Sequence, residues 1–401
     1  MDSSQDLLVL IEGGVAGSTS ITASFLSLTS GDSHPLSSGE YVIPSPSDGA
    51  VRGFTITVMG VFMGLLISNF KFIVYDWKRG KLVVDIPFDD GDIINTFFFL
   101  DRERLGLVRG LRRPAHIEIY RFIDGNIRLS GPVLTATYHL PTLIDGVRLG
   151  EISCRSDPPP HQIETSTTYT NNSSVHSPPP FIPRLEDRIF VVDMLFLHGR
   201  TAVGTCVIVI RGETLMNVPK GSELVDGTYV VTPDLWMHDT HMQPMTTMGN
   251  WACFVYGSRF VTISFNPPID ESESDEEEEE PGRLGWPLQI VTFDMNPRMI
   301  AWAKSKGCET TPYGISYAFG TVEDLDCTVC ESNYTSVSSE LLREPWVAER
   351  PLIATGFKAD DIVSRADDDF VVMLNGERLI VIQASRHLPP CPALFLSSPT
   401  R

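Results

Sequence analysis

The sequence predicts an all-β fold and, within that class, a WD-repeat-like β-propeller of about seven blades. Short runs of β-branched and aromatic residues recur along the chain between turn-forming residues, and no segment keeps a helical period over three turns. A strand–turn–strand unit also recurs weakly, which favours blades over a sandwich or a barrel. The 401 residues suffice for this number, because a blade of four short strands takes roughly 40 to 50 residues.

The predicted strands are runs of five to ten residues that are rich in Val, Ile, Leu and Phe, as strands usually are. In chain order they are DLLVLIE (Asp6 to Glu12), ITASFLSL (Ile21 to Leu28), FTITVMG (Phe54 to Gly60), KFIVYDW (Lys71 to Trp77), KLVVDIPF (Lys81 to Phe88), INTFFFL (Ile94 to Leu100), HIEIYRF (His116 to Phe122), RIFVVDMLFL (Arg188 to Leu197), CVIVI (Cys206 to Ile210), WACFVYG (Trp251 to Gly257), RFVTISF (Arg259 to Phe265), LQIVTFDM (Leu288 to Met295), DFVVML (Asp369 to Leu374) and RLIVIQ (Arg378 to Gln383).

The recurring unit reads as an apolar strand, a turn and a second strand. We interpret it as the third strand of a blade, its hairpin and the outer strand. Asp76 and Trp77 reproduce the closing dipeptide of a WD repeat once. The four copies are KFIVYDWKRGKLVVDI, HIEIYRFIDGNIRLSG, LQIVTFDMNPRMIAW and DFVVMLNGERLIVIQ.

One segment resembles a membrane span. FTITVMGVFMGLLI, from Phe54 to Ile67, is apolar but contains two threonines and is followed by Asn69 and Lys71. A bilayer-spanning helix needs about 20 residues. We therefore predict two buried strands joined by a turn and no membrane association.

Two segments interrupt the strand pattern. Residues 155–180 are rich in Pro, Ser, Thr and Asn, and residues 267–285 contain an acidic run. Neither has enough apolar surface to offset the entropy of ordering the chain. We predict two disordered inserts within a single domain, residues 1–401; the alternative is that they are domain linkers.

The net charge and the cysteines limit which partners and which cellular compartment we expect. The net charge is −20, and nine of the negative charges lie between Asp270 and Glu280. This acidity argues against a nucleic-acid partner, because phosphate contacts need a basic surface. Seven dispersed cysteines and an N-terminus with no basic region favour a reducing compartment, cytoplasmic or nuclear.

No motif predicts a catalytic, cofactor or metal site. Cys327 and Cys330 have C-x-x-C spacing, but neither two further zinc ligands nor a thioredoxin-like context accompanies them. His238 and His241 lie close to two aspartates, which we interpret as a solvated loop. A G-x-S-x-G elbow and a phosphate-binding loop are both lacking. We therefore expect a protein that is not an enzyme.

Two groups of residues are candidates for partner binding or modification. The first is a basic rim that an anionic partner could contact, although interspersed Asp101 and Glu103 equally fit a solvated surface: Arg102, Arg104, Arg109, Arg112 and Arg113. The second is the pair Ser272 and Ser274, each with an acidic residue three positions later. Phosphorylation there would add negative charge, and a passive solvated insert is the alternative.

Several phrases resemble a known family. They are DSSQDLLVLIE, LTSGDSHPL, FIVYDWKRGKLVVDI, NTFFFLDRERLGLV, IEIYRF and NWACFVYGSRFV, in this order. They are similar to the C-terminal β-propeller-like region of fungal F-box proteins, typically from mushroom-forming species. The likeness spans nearly the whole chain. Its phrases mark strands and not active sites, and an F-box is not recognisable before Asp6.

The resemblance implies a substrate receptor of cullin-type ubiquitin ligases, whose Skp adaptor would bind only if the full-length form has an F-box. We therefore expect a monomeric, non-catalytic propeller with an unidentified protein partner, since rigid blades present variable loops on two faces. Two alternatives stay open. One is a propeller hydrolase or lyase with a site in the central channel, and the other is a degenerate paralogue without activity.

Overall fold

The chain folds almost entirely into β-strands. Twenty-seven strands and three short α-helices lie in the part of the chain that the computed structural model describes. The described residues are 2, 5–13, 20–44, 53–68, 70–88, 93–110, 114–124, 127–157, 184–245, 255–265, 286–305, 310–311, 319–320, 327–330, 342, 352–364, 369–374, 378–384 and 394–397.

The strands of the first half are β1 (Leu7–Gly13), β2 (Ser20–Ser27), β3 (Tyr41–Pro44), β4 (Phe54–Met59), β5 (Phe62–Ile67), β6 (Lys71–Asp76), β7 (Lys81–Pro87), β8 (Ile94–Phe99), β9 (Arg104–Arg109), β10 (His116–Asp124), β11 (Ile127–His139), β12 (Val147–Ser156), β13 (Ile189–His198) and β14 (Thr201–Arg211).

The second half contains α1 (Gly212–Met216), β15 (Glu223–Val225), β16 (Thr228–Val231), α2 (Pro233–Trp236), β17 (Thr240–Met245), β18 (Val255–Tyr256), β19 (Arg259–Phe265), β20 (Trp286–Asp294), α3 (Pro297–Ser305), β21 (Thr310–Thr311), β22 (Phe319–Gly320), β23 (Cys327–Cys330), β24 (Leu352–Ser364), β25 (Asp369–Leu374), β26 (Arg378–Ala384) and β27 (Leu394–Ser397). Single 3-10 turns cover Leu185–Asp187 and Met237–Asp239.

The described strands form six sheets, numbered here in chain order. Sheet 1 is β1-β2-β3, sheet 2 is β4-β5-β6-β7, and sheet 3 has the order β15-β16-β11-β10-β9-β8. Sheet 4 is β12-β13-β14-β17, sheet 5 has the order β18-β19-β20-β24-β23-β21 with β22 beside β24, and sheet 6 is β25-β26-β27. Most neighbours are antiparallel and consecutive in the chain, so each sheet is largely a local meander.

Strands β5 and β6 of sheet 2 and strands β8 and β9 of sheet 3 are buried on both faces. Side chains alternate along a strand, so successive residues enter two different cores. In β5, Met63 and Leu65 pack against sheet 1, whereas Phe62 and Leu66 pack toward sheet 3. Continuous apolar runs such as FMGLLI follow from this arrangement.

The phenylalanines of β8 show the same alternation. Phe97 and Phe99 belong to the core between sheets 2 and 3, and Phe98 belongs to the core between sheets 3 and 4. Each is at most 2 % exposed, and burying such a side chain contributes roughly 1.5 to 3 kcal/mol. The run therefore joins three successive sheets.

Two glycines leave room for these phenylalanine rings, one across two sheets and one within sheet 3. A Cβ atom at Gly64 in β5 would lie 2.4 Å from the Phe97 ring, and one at Gly106 in β9 would lie 2.1 Å from the Phe98 ring. Both glycines have ordinary extended backbones. Their role is to leave space for an aromatic ring.

The first strands of successive sheets lie next to one another. β4 contacts β8, β8 contacts β12, β12 contacts β18, and β18 contacts β25. The remaining strands of each sheet follow outward from that series. Sheets 2 to 6 are therefore arranged around a common line of inner strands.

The all-β prediction is confirmed, and most individual strand predictions hold. Phe54 to Ile67 does form two strands, with the turn at Gly60 and Val61. Three of the four predicted units are hairpins: β6-β7, β10-β11 and β25-β26. In the described part of the chain no helix is both long and apolar enough to span a membrane.

The remaining predicted unit, LQIVTFDMNPRMIAW, is wrong in its second half. Leu288 onward is strand β20 as predicted, but Pro297–Ser305 is helix α3 and not an outer strand. The Asn296 side chain accepts a hydrogen bond from the Arg298 amide at 2.9 Å, and Pro297 occupies the first helical position. Asn followed by Pro therefore begins a helix here, although the same pair also suits a turn.

The described residues form six sheets. One further expectation needs correction. The sequence places Arg155 and Ser156 in a disordered insert, but both pair with β13 as the last residues of β12. The rest of that insert from residue 158 to residue 180, and all of residues 267–285, lie outside the described residues.

Candidate functional site

An insertion between the last two strands of sheet 4 builds the most distinctive surface of the described chain. Residues 212–239, called the cross-sheet insert below, leave β14 through α1 and contribute β15 and β16 to neighbouring sheet 3. They return through α2 and a 3-10 turn to β17. β16 pairs in parallel with β11 from Ala136 to Tyr138. The insert thus joins two sheets through backbone hydrogen bonds.

Local sequence explains each turn of this path. A Cβ atom at Gly212 would lie 2.4 Å from the Leu185 carbonyl oxygen, so only glycine fits where β14 becomes α1. Asp226 and Gly227 both have positive φ, 49° and 81°, as a type I′ hairpin turn requires. Pro233 is the first residue of α2, where its missing N–H costs no hydrogen bond.

Side-chain hydrogen bonds fix the insert onto sheet 3. Arg104 Nη1 donates to the Met216 carbonyl at 3.1 Å, and the Tyr138 hydroxyl donates to the Thr214 carbonyl at 3.0 Å. Trp236 Nε1 donates to the His139 carbonyl at 3.1 Å. Burial raises the pKa of Tyr138 above its ordinary value, which keeps this hydroxyl a donor. The insert is therefore a positioned part of the fold.

The insert forms an open groove with a volume of about 340 Å³. It lies between α1, the loop that leads to β15, and α2 with its following turn. Its walls combine carboxylates, a lysine, an imidazole and an amide with two apolar side chains. The residues are Glu213, Thr214, Asn217, Pro219, Lys220, Leu235, His238 and Asp239.

An apolar pair lies on the same side of the sheet as this groove. Leu224 and Tyr229 are opposite each other across β15 and β16 and are 59 % and 40 % exposed. Tyr229 precedes buried Val231 by two residues, so both point to the face on which α1 and α2 pack. The loop that leads from the groove into β15 lies close to α2: a Cβ atom at Gly221 would be 3.5 Å from the Leu235 side chain. We call Leu224 and Tyr229 the apolar ridge.

The insert is acidic. Five carboxylates stand against a single lysine, Lys220, over residues 212–239: Glu213, Glu223, Asp226, Asp234 and Asp239. All except the half-buried Asp239 are exposed. Arg211, at the end of β14, approaches Glu213 at 3.9 Å and Asp187 at 3.3 Å, but its own side chain is only 8 % exposed. The accessible charge beside the ridge is therefore negative.

A buried cation, Arg188, lies where three sheets meet. Arg188, at the start of β13, is 1 % exposed and donates to the carbonyls of Phe99 and Leu100 at 3.3 and 3.0 Å. It also donates to the Asp157 carbonyl, and Asp157 accepts a hydrogen bond from the Gly257 amide. Burial lowers the pKa of Arg188 to about 10, so it stays protonated at neutral pH. Arg188 and Asp157 thereby link sheets 3, 4 and 5.

The structure separates the arginines of the predicted basic rim. Arg104 and Arg109 lie at opposite ends of β9, about 16 Å apart at the usual rise per residue. Arg104 binds Asp101 at 2.8 Å, and the largely buried Arg109 binds Glu118 at 2.6 Å. Arg102 is exposed, and Arg112 and Arg113 lie outside the described residues. A shared rim is therefore not formed by the three described arginines.

The predicted histidine loop is correct only for His238. His238 lies in the 3-10 turn at the groove, 3.6 Å from the Asp239 carboxylate. His241 instead lies on β17, opposite Val209, and is only 3 % exposed. The 3-10 turn ends at Asp239 and β17 begins at Thr240. His241 is therefore a buried strand residue and not part of a solvated loop.

The remaining predicted groups give no site among the described residues. Cys327 and Cys330 are the ends of strand β23, and Ser272 and Ser274 lie outside the described part. Cys154 and Cys206 are buried free thiols whose pKa burial raises. Within the described ranges, no three His, Cys, Asp or Glu side chains are grouped so as to hold a metal ion.

Sequence reasoning missed the groove and the ridge. One signal was available, the Asp226-Gly227 dipeptide between two short β-branched runs, which is a strong hairpin indication. Nothing in the sequence says that this hairpin joins the sheet of another segment.

Comparisons with known proteins do not name a family. No family model and no curated protein matches the chain. Among solved structures, the N-terminal domain of Nup159 aligns with 94 % of this chain and 73 % of its own, at 9 % identity and a TM-score of 0.29. BBS1N, solved in complex with ARL6DN, aligns with 52 % of this chain and 73 % of its own, at 9 % identity and a TM-score of 0.21. Scores this low support no argument about fold or function, so the strands themselves establish the all-β class.

Proposed function

We propose that this chain is a β-propeller that binds another protein and catalyses no reaction. The observation that carries the proposal is the series of inner strands, β4, β8, β12, β18 and β25, each in contact with the next. In a propeller the first strand of every blade lines the central axis, and successive blades pack face to face. The three apolar cores between sheets 1 to 4 fit that stacking.

The cross-sheet insert supports binding as the activity. It places an apolar ridge and a charged groove on a rigid base, and rigid sheets with variable surface loops are typical of binding domains. The resemblance to F-box proteins narrows the proposal further, to a receptor that presents substrates to a cullin-type ligase.

Affinity purification tests both parts of this proposal, which are that the chain binds a protein and that it acts as a receptor of a cullin-type ligase. The tagged chain, and the same chain with an F-box fused to its N-terminus, would be recovered from the native cells under crosslinking and analysed by mass spectrometry. We expect both forms to retain the same stoichiometric protein, and only the fused form to retain Skp and cullin.

The outcomes separate the two parts. If the fused form retains a partner but no ligase component, the result supports protein binding and contradicts the receptor assignment. Recovery of nothing above a tag-only control by either form would contradict the binding function itself. Turnover of a small molecule by the purified chain, measured against heat-denatured protein, would contradict the non-catalytic assignment.

A further inference from the structure

The cross-sheet insert also carries information about the chemistry of its partner. We propose that the groove and the apolar ridge together bind an extended peptide segment that has an apolar centre and Lys or Arg side chains at its flanks. This inference rests on the proposed binding function and adds the class of partner to it.

The apolar part of the argument is the ridge. Leu224 and Tyr229 form a directly opposed cross-strand pair, so their side chains make one continuous apolar surface. A Leu that is 59 % exposed beside a Tyr that is 40 % exposed leaves apolar area in water. An aliphatic side chain placed over the pair would remove that area from water.

The charged part is the surrounding surface. Glu213 lines the groove, and Asp226 lies in the turn of the hairpin that carries Leu224. Glu223 directly precedes Leu224 on β15, so its side chain points to the opposite face and is not counted here. An exposed carboxylate attracts a Lys or Arg side chain and repels an acidic one, which contributes more to selection and association rate than to affinity. The excess of carboxylates over the one lysine of the insert thus favours a basic partner and disfavours an acidic one.

The geometry joins the two parts. Lys220 and Pro219 line the groove and lead through Gly221 and Ser222 directly into β15. A peptide lying along this loop would place one side chain over the ridge and a neighbouring cation beside Glu213. Besides the backbone pairing of β16 with β11, four side-chain hydrogen bonds among the described residues hold the insert to sheet 3. One of them joins Thr228 Oγ1 to the Leu134 carbonyl at 3.3 Å. The surface is therefore formed before binding.

A peptide-binding experiment on the full chain tests the proposal. The probe is a fluorescein-labelled, end-capped peptide of sequence KRVLVKR, and its charge-reversed counterpart is EEVLVEE. Fluorescence anisotropy would give the Kd of each peptide at low and physiological salt. We expect binding of the basic peptide that weakens with salt, and at least about tenfold weaker binding of the acidic one.

Matched variants locate the site. Leu224→Ser should raise the Kd at least about fivefold through lost apolar contact, and Glu213→Gln about twofold to threefold through a lost exposed ion pair. Val42→Ser and Glu12→Gln make the same chemical changes at exposed positions of sheet 1. These two controls should leave the Kd unchanged. All four variants should keep the thermal midpoint of the parent, since the altered residues are exposed.

Three results would overturn the proposal: no binding of the basic peptide, equal binding of both peptides, or equal losses in the site and control variants. If a partner is nevertheless recovered by affinity purification, the binding function survives and only the assigned chemistry fails. If neither a peptide nor a partner binds, both are lost.

Discussion

Two charged side chains, Arg188 and Asp157, lie at junctions between sheets. Arg188 reaches the end of β8 from the start of β13, and Asp157 reaches the turn between β18 and β19. Their backbone partners, the carbonyls of Phe99 and Leu100 and the amide of Gly257, would otherwise need other partners away from water. The burial of these residues therefore has a structural explanation.

Asp193 is a half-buried carboxylate in sheet 4. It lies on β13 between Ser153 and Val207 and accepts one hydrogen bond, from Ser153 Oγ at 3.3 Å. Burial raises its pKa from 3.8 to about 7, against the opposing attraction of Arg155. At pH 8 the folded state must therefore hold an unfavourable charge that the unfolded chain solvates freely.

This leads to a pH-dependent prediction for Asp193→Asn. A raised carboxyl pKa stabilises the folded state below the unfolded value near 4, and that advantage is lost as pH rises to about 7. The variant lacks this loss. The full pKa shift corresponds to about 4 kcal/mol, but water screens part of the effect because Asp193 is only half-buried. At pH 8 the variant's free energy of unfolding should therefore exceed the parent's by about 2 kcal/mol. The difference should vanish near pH 4. Urea titrations across this range would measure it, with Glu12→Gln as the exposed control. A pH-independent difference would contradict the assignment.

At the scale of elements, stacking between sheets depends on spaces left for aromatic rings. Gly64 is the clearest case, because its missing Cβ makes room for Phe97 and, at 3.1 Å, for Phe99. An added methyl group would have to push two buried rings from the core between sheets 2 and 3.

Gly64→Ala should therefore destabilise the protein by about 1 to 3 kcal/mol, the usual cost of overpacking a core. Gly131→Ala in β11 is the matched control, since nothing lies within 4 Å of its added Cβ. That change should be neutral or slightly stabilising, because glycine weakens a strand interior. Denaturant midpoints at constant m-value would measure both. Equal effects of the two substitutions would contradict the packing explanation.

The elements differ in how far the sequence predicts them. Strands such as β5 and β8 were predictable because burial on both faces leaves continuous apolar runs. Helices α1 and α2 were not, since four or five residues cannot show a helical period and their positions depend on bonds from Arg104, Tyr138 and Trp236. The candidate site was missed for the same reason. It exists only where a segment from sheet 4 meets sheet 3, and a local pattern carries no information about that meeting.

At the scale of the whole molecule, the series of inner strands among the described residues runs from β4 to β25. If the sheets close into a ring, sheet 6 covers apolar faces on both sides. If they form an open stack, sheet 6 is a terminal layer, and its removal should lower the stability of the other sheets only slightly. The two arrangements predict different results for removal of residues 366–401.

We expect that truncation to lower the thermal midpoint by at least about 10 °C, because a ring that loses one blade exposes two apolar faces. It should also increase binding of a hydrophobic dye. Removal of residues 398–401, which follow β27, is the control and should change neither. A midpoint within about 2 °C of the parent after the larger truncation would favour the open stack.

The parallel pairing of β16 with β11 has a consequence for synthesis of the chain on the ribosome. β11 ends at His139, but the strand that covers its outer edge begins only at Thr228, roughly 90 residues later. At ordinary elongation rates that interval lasts on the order of ten seconds. During this time sheet 3 presents an uncovered strand edge to its surroundings. Nascent chains should therefore be most vulnerable to misassociation, and most in need of chaperones, between completion of β11 and emergence of the cross-sheet insert.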